Sequence, residues 1–464
     1  MTEENFKKTR IAKDSLGEVE INAGALYGAQ TQRAVNNFPI SSKKMPAAFI
    51  NSLIIIKSNA AKTNIELDCL EKDVGEAIIK ACQTLKDDKY FMRHFPVDVF
   101  QTGSGTSSNM NANEVIANLA SEVLGKAINP NDHVNFGQSS NDVIPTAIHV
   151  SAVLEVLETL IPALQHLIDV IENKAIDVKS YCKTGRTHLM DAMPIRLDQS
   201  LLGWSDQLTQ NIGLIEKVLE TLKKLALGGT AVGTGINTHE QFAARFAENL
   251  SAATGIKFSS VNNFFPLMGS QDSAVALSGQ LKTLAVTIMK VSNDLRWMNS
   301  GPLSGLGEIT LQPLQPGSSI MPGKVNPVIP EATAMIAAEV IGNDSAITIA
   351  GQSGNFELNV MLPLIACNLL SSINLLSNGI RLLADKAVKD FTVNESNLKK
   401  ALRNNPILVT ALNPIIGYTK AAEIAKKAYQ QSRPIIDVAV EETDITLAEL
   451  TKILDPIKLT KGGL

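Results

Sequence analysis

The chemistry-bearing residues of this chain gather in a few short polar stretches. The densest is Gly317-Ser318-Ser319-Ile320-Met321-Pro322-Gly323-Lys324-Val325-Asn326-Pro327, followed by Glu331. Its glycines and serines offer backbone N–H groups and hydroxyls, Lys324 adds a cation and Asn326 an amide. Such a set suits a carboxylate better than a nucleotide phosphate, because the G-x-x-x-x-G-K-[ST] spacing is absent. Ser318 is a candidate base only if amides and Lys324 stabilise charge on its oxygen. The other proton-transfer candidate is His188, in Gly185-Arg186-Thr187-His188. Imidazole titrates near neutrality, and a carboxylate such as Glu331 can orient it and raise its basicity. A lone histidine is more often structural, but this one sits in a Gly/Thr loop between long helical stretches. No Ser-His-Asp order or G-x-S-x-G elbow points to an acyl-enzyme.

Two further clusters, 102–109 and 138–142, share the same small donors: Ser104, Gly105, Thr106, Ser139, Ser140 and Asn141. Taken singly, each reads as a helix cap. Together with 184–188 and 317–326 they are expected at helix ends, where free N–H groups and partial positive charge favour anions. Convergence of these ends would make a donor-lined pocket with one lysine, fitting a small dicarboxylate. The glycine run 228–235 lacks G-x-G-x-x-G and reads as a tight helix–helix connection beside the site.

Helices must position these clusters. The pattern is extended or irregular over 1–45, then helical over 47–85 with a break near Asp68. Helices are expected over 110–125 and from about 143 to 178, with a turn at Asn129-Pro130-Asn131-Asp132 between them. Further helices are expected over 196–227, 271–299, 331–350 and 359–385. The segment 183–188 reads as a loop. Helices this long and apolar on several faces imply a bundle whose outer faces pack on other copies. The expected domains are 1–140, mixed and helical; 141–395, the bundle; and 396–464, small and helical.

The chain has 464 residues, 45% of them hydrophobic and only 5% aromatic, so aliphatic helix packing is favoured. A net charge of −4 without a basic run argues against nucleic acid or an anionic membrane as partner. No uninterrupted apolar run approaches a membrane span, and Met1–Arg10 is too polar for a leader. A cytoplasmic location is expected. Cysteines and histidines show no ligand spacing, so no metal is expected.

These blocks together resemble the fumarase/aspartase superfamily, whose signature G-S-S-x-M-P-x-K-x-N-P is matched completely at 317–327. Gly103-Ser104-Gly105-Thr106 through Asn111, and Ser139-Ser140-Asn141-Asp142, look like its other shared blocks. Within the superfamily, Gly185-Arg186-Thr187-His188 is similar to class II fumarases, since aspartases typically carry glutamine at the histidine.

The resemblance implies a mostly α, three-domain fumarase/aspartase-like subunit with a central long five-helix bundle, forming a homotetramer with sites shared between three chains. It implies reversible hydration of fumarate to malate, with no organic cofactor. By position, Ser104, Gly105, Thr106, Ser139, Ser140, Asn141, Thr187, Ser319, Lys324, Val325 and Asn326 would bind substrate. His188 and Ser318 would move protons, with either as base, and Glu331 would pair with His188. The family's second dicarboxylate site matches Asn129, Pro130, Asn131 and Asp132, although histidine usually stands where this chain has Asn129. An ammonia lyase acting on aspartate and a non-catalytic helical scaffold are the alternatives.

Overall fold

The computed structural model describes residues 9–463, so most of Met1–Arg10 lies outside the described residues. A hairpin of β1 (Thr9–Asp14) and β2 (Gly17–Asn22) leads to α1 (Ala29–Asn37), α2 (Ala47–Glu66), α3 (Lys72–Asp87), α4 (Thr106–Leu124) and α5 (Ser140–Glu155). A π-helical turn at Val156–Leu160 joins α5 to α6 (Ile161–Val178). Next come a second hairpin, β3 (Cys182–Thr187) and β4 (Met190–Arg196), and then α7 (Leu197–Leu222), α8 (Phe242–Thr254), α9 (Phe265–Gly269) and α10 (Asp272–Met298). The last long helices are α11 (Val328–Gln352) and α12 (Leu362–Leu383), and short helices follow to Leu459.

The chain divides into two compact units. One comprises residues up to Ile161 with Gly213–Thr283 and Glu339–Leu376; the other comprises Pro162–Ile212, Leu284–Ala338 and Ser377 onward. In the first, α3 buries Val74, Ala77, Ile78, Ala81, Cys82 and Leu85, the spacing of one helical face. The expected break near Asp68 occurs: Asp68 has φ +54°, and Asn64 O accepts the amides of Cys69 and Leu70. Residues 29–37, expected to be irregular, are helical because Glu114 of α4 caps them from outside. Its carboxylate accepts the amides of Gly28, Gln30 and Thr31 at 2.8–3.1 Å. That is an anion at a helix N-terminus, and no local pattern reveals it.

In the second unit, His166 Nε2 lies 2.7 Å from Asp385 Oδ1, and Ser205 Oγ donates to Glu172 at 2.7 Å. Residues after 405 have their own core of Leu408, Leu412, Ile424, Ile435, Val438 and Leu450. The segment 183–188 is a correction: 183–187 is a strand of the second hairpin and His188 begins its turn, so it is not a loop between helices. The hairpin forms because Thr184, Arg186 and Thr187 find partners on β4, a pairing outside the helical periodicity of their neighbours.

Three helical stretches, Ser140–Val178, Asp272–Met298 and Leu362–Val388, are long and apolar enough to cross a membrane by length and composition alone. Their polar residues interrupt each apolar run without lowering its average much. At least half of each apolar stretch is buried within the protein.

Candidate active site

In the first unit the chain folds cluster 102–109 onto cluster 138–142. Gly105, with φ +72°, starts α4, and a side chain there would collide with Ile144. Gly103 is packed tighter still, since a Cβ would fall 1.7 Å from Val360 O. Ser104 Oγ and Thr106 Oγ1 share a 2.8 Å hydrogen bond. Ser139 caps α5, accepting the Asn141 amide while its own amide donates to Asp142 Oδ1. Asn109 Nδ2 donates to Ser140 Oγ at 3.0 Å, and Asn141 Nδ2 to Ala231 O at 2.8 Å. The glycine run therefore lies against Asn141.

Asp142 is fully buried and binds the amides of Gly228 and Thr230 through Oδ2 at 3.0 and 2.8 Å. Burial pushes its carboxyl up to about 6 despite those amides. Asn129, Pro130, Asn131 and Asp132 form the expected turn. Asn129 Oδ1 accepts the amides of Asn131 and Asp132 at 2.8 and 3.1 Å.

In the second unit, Thr187 and Met190 pair across a two-residue turn made of His188 and Leu189, with φ +57° and +60°. Such turns favour glycine and asparagine, and each left-handed residue costs on the order of 1–3 kcal/mol. The offset comes from below the turn. Glu308, buried at 3% exposure, binds the Lys183 ammonium and accepts Arg186 Nη1 at 2.6 Å. The hairpin carries a bulge between Thr184 and Arg186, and at Gly185 a Cβ would lie 2.5 Å from Met193 O. Thr187 and His188 are thus exposed on a turn whose base is a buried ion cluster.

The signature loop is built by its own bonds. Gly317 N donates to Lys324 O at 2.8 Å, and Asn326 Nδ2 to Gly317 O at 2.8 Å. Ser318 Oγ accepts the amides of Ile320 and Met321 at 3.2 and 3.0 Å. Two amides aimed at one hydroxyl oxygen favour negative charge there. Ser319, Lys324 and Val325 are exposed, and Glu331 lies in the first turn of α11. Lys324, Val325 and Asn326 line a cavity of about 530 Å³ with Arg296, Asn299 and Asn394.

Among the described residues, no hydrogen bond or ion pair joins His188 to Ser318 or Glu331. The clusters at 102–109 and 138–142 do meet, and the glycine run joins them. Two supports escaped sequence reasoning, Glu308 and Lys57. Glu308 is the only acidic residue in the Gly/Pro-rich segment 301–330, and Lys57 follows Leu53-Ile54-Ile55-Ile56 on an apolar helix. Each is a charge out of character with its surroundings, and that contrast was the available signal.

The chain matches two family models: one described as Lyase over residues 17–342, and one described as Fumarase C C-terminus over residues 408–461. It is 66% identical to "Fumarate hydratase class II 2" of Pseudomonas aeruginosa, covering 98% of this chain and 99% of that protein. It is 55% identical to "Fumarate hydratase class II" of Xylella fastidiosa, covering 99% and 97%. Its fold is similar to the crystal structure of recombinant class II fumarase from Schistosoma mansoni, with TM-score 0.95 and 36% identity, covering 98% of this chain and 99% of that one. Over nearly its whole length, the chain belongs to the class II fumarate hydratase family.

Proposed function

We propose that this protein catalyses the reversible hydration of fumarate to (S)-malate. The observation that carries this reading is the pair of amides directed at Ser318 Oγ within a complete signature loop. In the dehydration of malate, the Ser318 oxygen takes the proton from the carbon next to one carboxylate. Charge moves into that carboxylate as its aci form, which Lys324, Asn326 and Ser319 stabilise through positive charge and hydrogen-bond donors. The Val325 backbone lies in the same loop. Donors already in place favour this state over the ground state. His188, acting through a water and paired with Glu331, assists departure of the hydroxyl as water. Ser104, Gly105, Thr106, Ser139, Ser140, Asn141 and Thr187 bind the remaining carboxylate and hydroxyl. Because the developing charge is met by these groups, the chemistry requires no metal or organic cofactor.

The working form is a homotetramer in the cytoplasm, with each site drawn from several chains. Val286, Met335, Ile349 and Leu382 support this assembly: they stand exposed on long helices and suit burial against further copies. The three-part division at about 140 and 395 belongs to the same reading, supported by the separate core after residue 405. The second dicarboxylate site at Asn129–Asp132 is weakened, because Asn129 replaces the family's usual histidine, its Oδ1 is committed to its own turn, and the Nδ1 of the neighbouring His133 is taken up accepting the Asn129 amide at 2.9 Å.

Purified protein should deplete fumarate absorbance and leave aspartate unchanged; ammonia release from aspartate with no action on malate would overturn the reading. Site sharing has its own test. Dissociated Ser318→Ala and His188→Asn variants, reassociated together, should regain part of the activity, because some mixed sites hold both groups. Verified hybrids without recovery would count against sites in which these two residues come from different chains.

A further inference from the structure

Lys57 of α2 is completely buried. Its ammonium donates to Asn135 Oδ1 at 2.8 Å and to Gln138 Oε1 at 2.9 Å. Neither acceptor is a surface group borrowed by chance. Asn135 Oδ1 also receives Asn109 Nδ2 at 3.2 Å and Asn113 Nδ2 at 3.1 Å, and Asn135 Nδ2 donates to Gln138 O at 3.1 Å. Gln138 Nε2 reaches the carbonyls of Val134 and Phe136, both at 3.2 Å. The same Asn109 amide then holds Ser140 Oγ at 3.0 Å. Lys57 is therefore three hydrogen bonds away from Ser140, by way of the Asn135 and Asn109 side chains, and is bonded directly to Gln138, the residue preceding Ser139.

Packing does not require an ammonium here. A methionine of similar length would fill the same space between α2 and its neighbours, and burying an unpaired ammonium costs several kcal/mol. Cys82 on α3 is held neutral by burial, which pushes its thiol up to about 12. The buried carboxylate acting on Lys57 is that of Asp142, which holds the Ser139 amide. Burial lowers the Lys57 ammonium to about 7, against the pull of Asp142, so its hold on the segment rests on its N–H donors rather than on a permanent charge. Lys57 reaches the 138–142 segment through Gln138, and Asp142, inside the segment, holds it through the Ser139 amide. What Lys57 adds over methionine is a pair of N–H donors: it joins the Asn109 and Asn113 amides at Asn135 Oδ1, and it gives Gln138 Oε1 its partner.

We propose that Lys57 is a positioning residue for the substrate-carboxylate donors Ser139, Ser140 and Asn141, acting through Asn135 and Gln138. The proposal rests on the functional reading above, which gives those three residues their ligand. Without the Lys57 donors the Asn135–Gln138 turn keeps its backbone, but Gln138 Oε1 loses its partner and Asn135 Oδ1 is held less firmly against the Asn109 amide that presents Ser140. Substrate binding weakens more than chemistry, because Ser318 and His188 are untouched.

The test uses full-length Lys57→Met beside the natural protein. Folding is checked by circular dichroism, the kinetics with fumarate and malate, and backbone order by amide hydrogen exchange. KM is expected to rise about tenfold, the equivalent of one good hydrogen bond to a charged group, with kcat changed far less. Amides of residues 138–142 are expected to exchange faster. A merely structural lysine would lower thermal stability and leave KM alone. A folded variant with unchanged KM and unchanged exchange at 138–142 overturns the proposal. If Lys57→Met fails to fold, Gln138→Met is read by the same two criteria, since it removes one acceptor and keeps the lysine. If the natural protein does not hydrate fumarate, the functional reading fails, and exchange at 138–142 alone decides whether Lys57 orders that segment.

Discussion

Replacing Ser318 with alanine is expected to lower kcat for malate dehydration by about 10²–10⁴-fold, the usual contribution of a positioned general base. The hydroxyl has a second role, because its oxygen accepts the amides of Ile320 and Met321. Alanine therefore removes both the proposed base and a local loop tie, and the two losses must be separated. Binding does that: affinity for an unreactive dicarboxylate, measured by calorimetry, is expected to stay close to that of the natural protein. Exchange of the malate carbon-bound proton with solvent is expected to fall in step with kcat. Lys324→Ala provides the contrast, because polarising a carboxylate supports both binding and the transition state; there KM rises and kcat falls together. If Ser318→Ala abolishes analogue binding while turnover at saturating malate stays near normal, Ser318 is a carboxylate ligand and His188 becomes the base.

The second large effect is expected at Glu308. Its side chain is 4% exposed and sits between the side chains of Lys183, at 9%, and Arg186, at 17%. Breaking a buried pair by removing one partner costs about 3–5 kcal/mol, since the remaining charge is left uncompensated. Glu308→Ala leaves two cations in that position, so the thermal midpoint is expected to drop sharply. Glu308→Gln keeps the shape and one acceptor and is expected to lose less. Activity is expected to fall in both, because the ion cluster holds the hairpin base beneath His188 and Leu189. Removing Lys183 together with Glu308 is expected to recover part of the stability, and a double-mutant cycle measures that coupling. A Glu308→Ala protein with the natural melting temperature and kcat would show that the turn holds its left-handed residues without the cluster.

Local chemistry made the helices legible. Periodic apolar positions over 47–85 and the break at Asp68 were readable because helical burial repeats every three or four residues. The helix ends at 102–109 and 138–142 were readable because small polar residues mark N-termini, although α4 begins at Thr106, after Gly105, rather than at Met110. The strand character of 183–187 was not. Cys182-Lys183-Thr184-Gly185-Arg186-Thr187 has no alternation of apolar and polar residues, and its partner strand contains Pro194. Helix α1 was also missed, because the group that caps it lies more than eighty residues away, at Glu114.

By itself the sequence determined which residues are the candidates for chemistry: Ser318, Lys324 and Asn326 in one stretch, His188 in another, and the small donors at 104–106 and 139–141. Residue type and close spacing carry that information, and the complete signature at 317–327 carries the family. Only the tertiary structure decided what holds those residues in place. Glu308 meets Lys183 across 125 positions of chain, and Lys57 meets Asn135 across 78. No short window contains both members of either pair. The cost of burying each charge is met only after the chain has folded its distant partner against it, which is why these supports were not legible from local pattern.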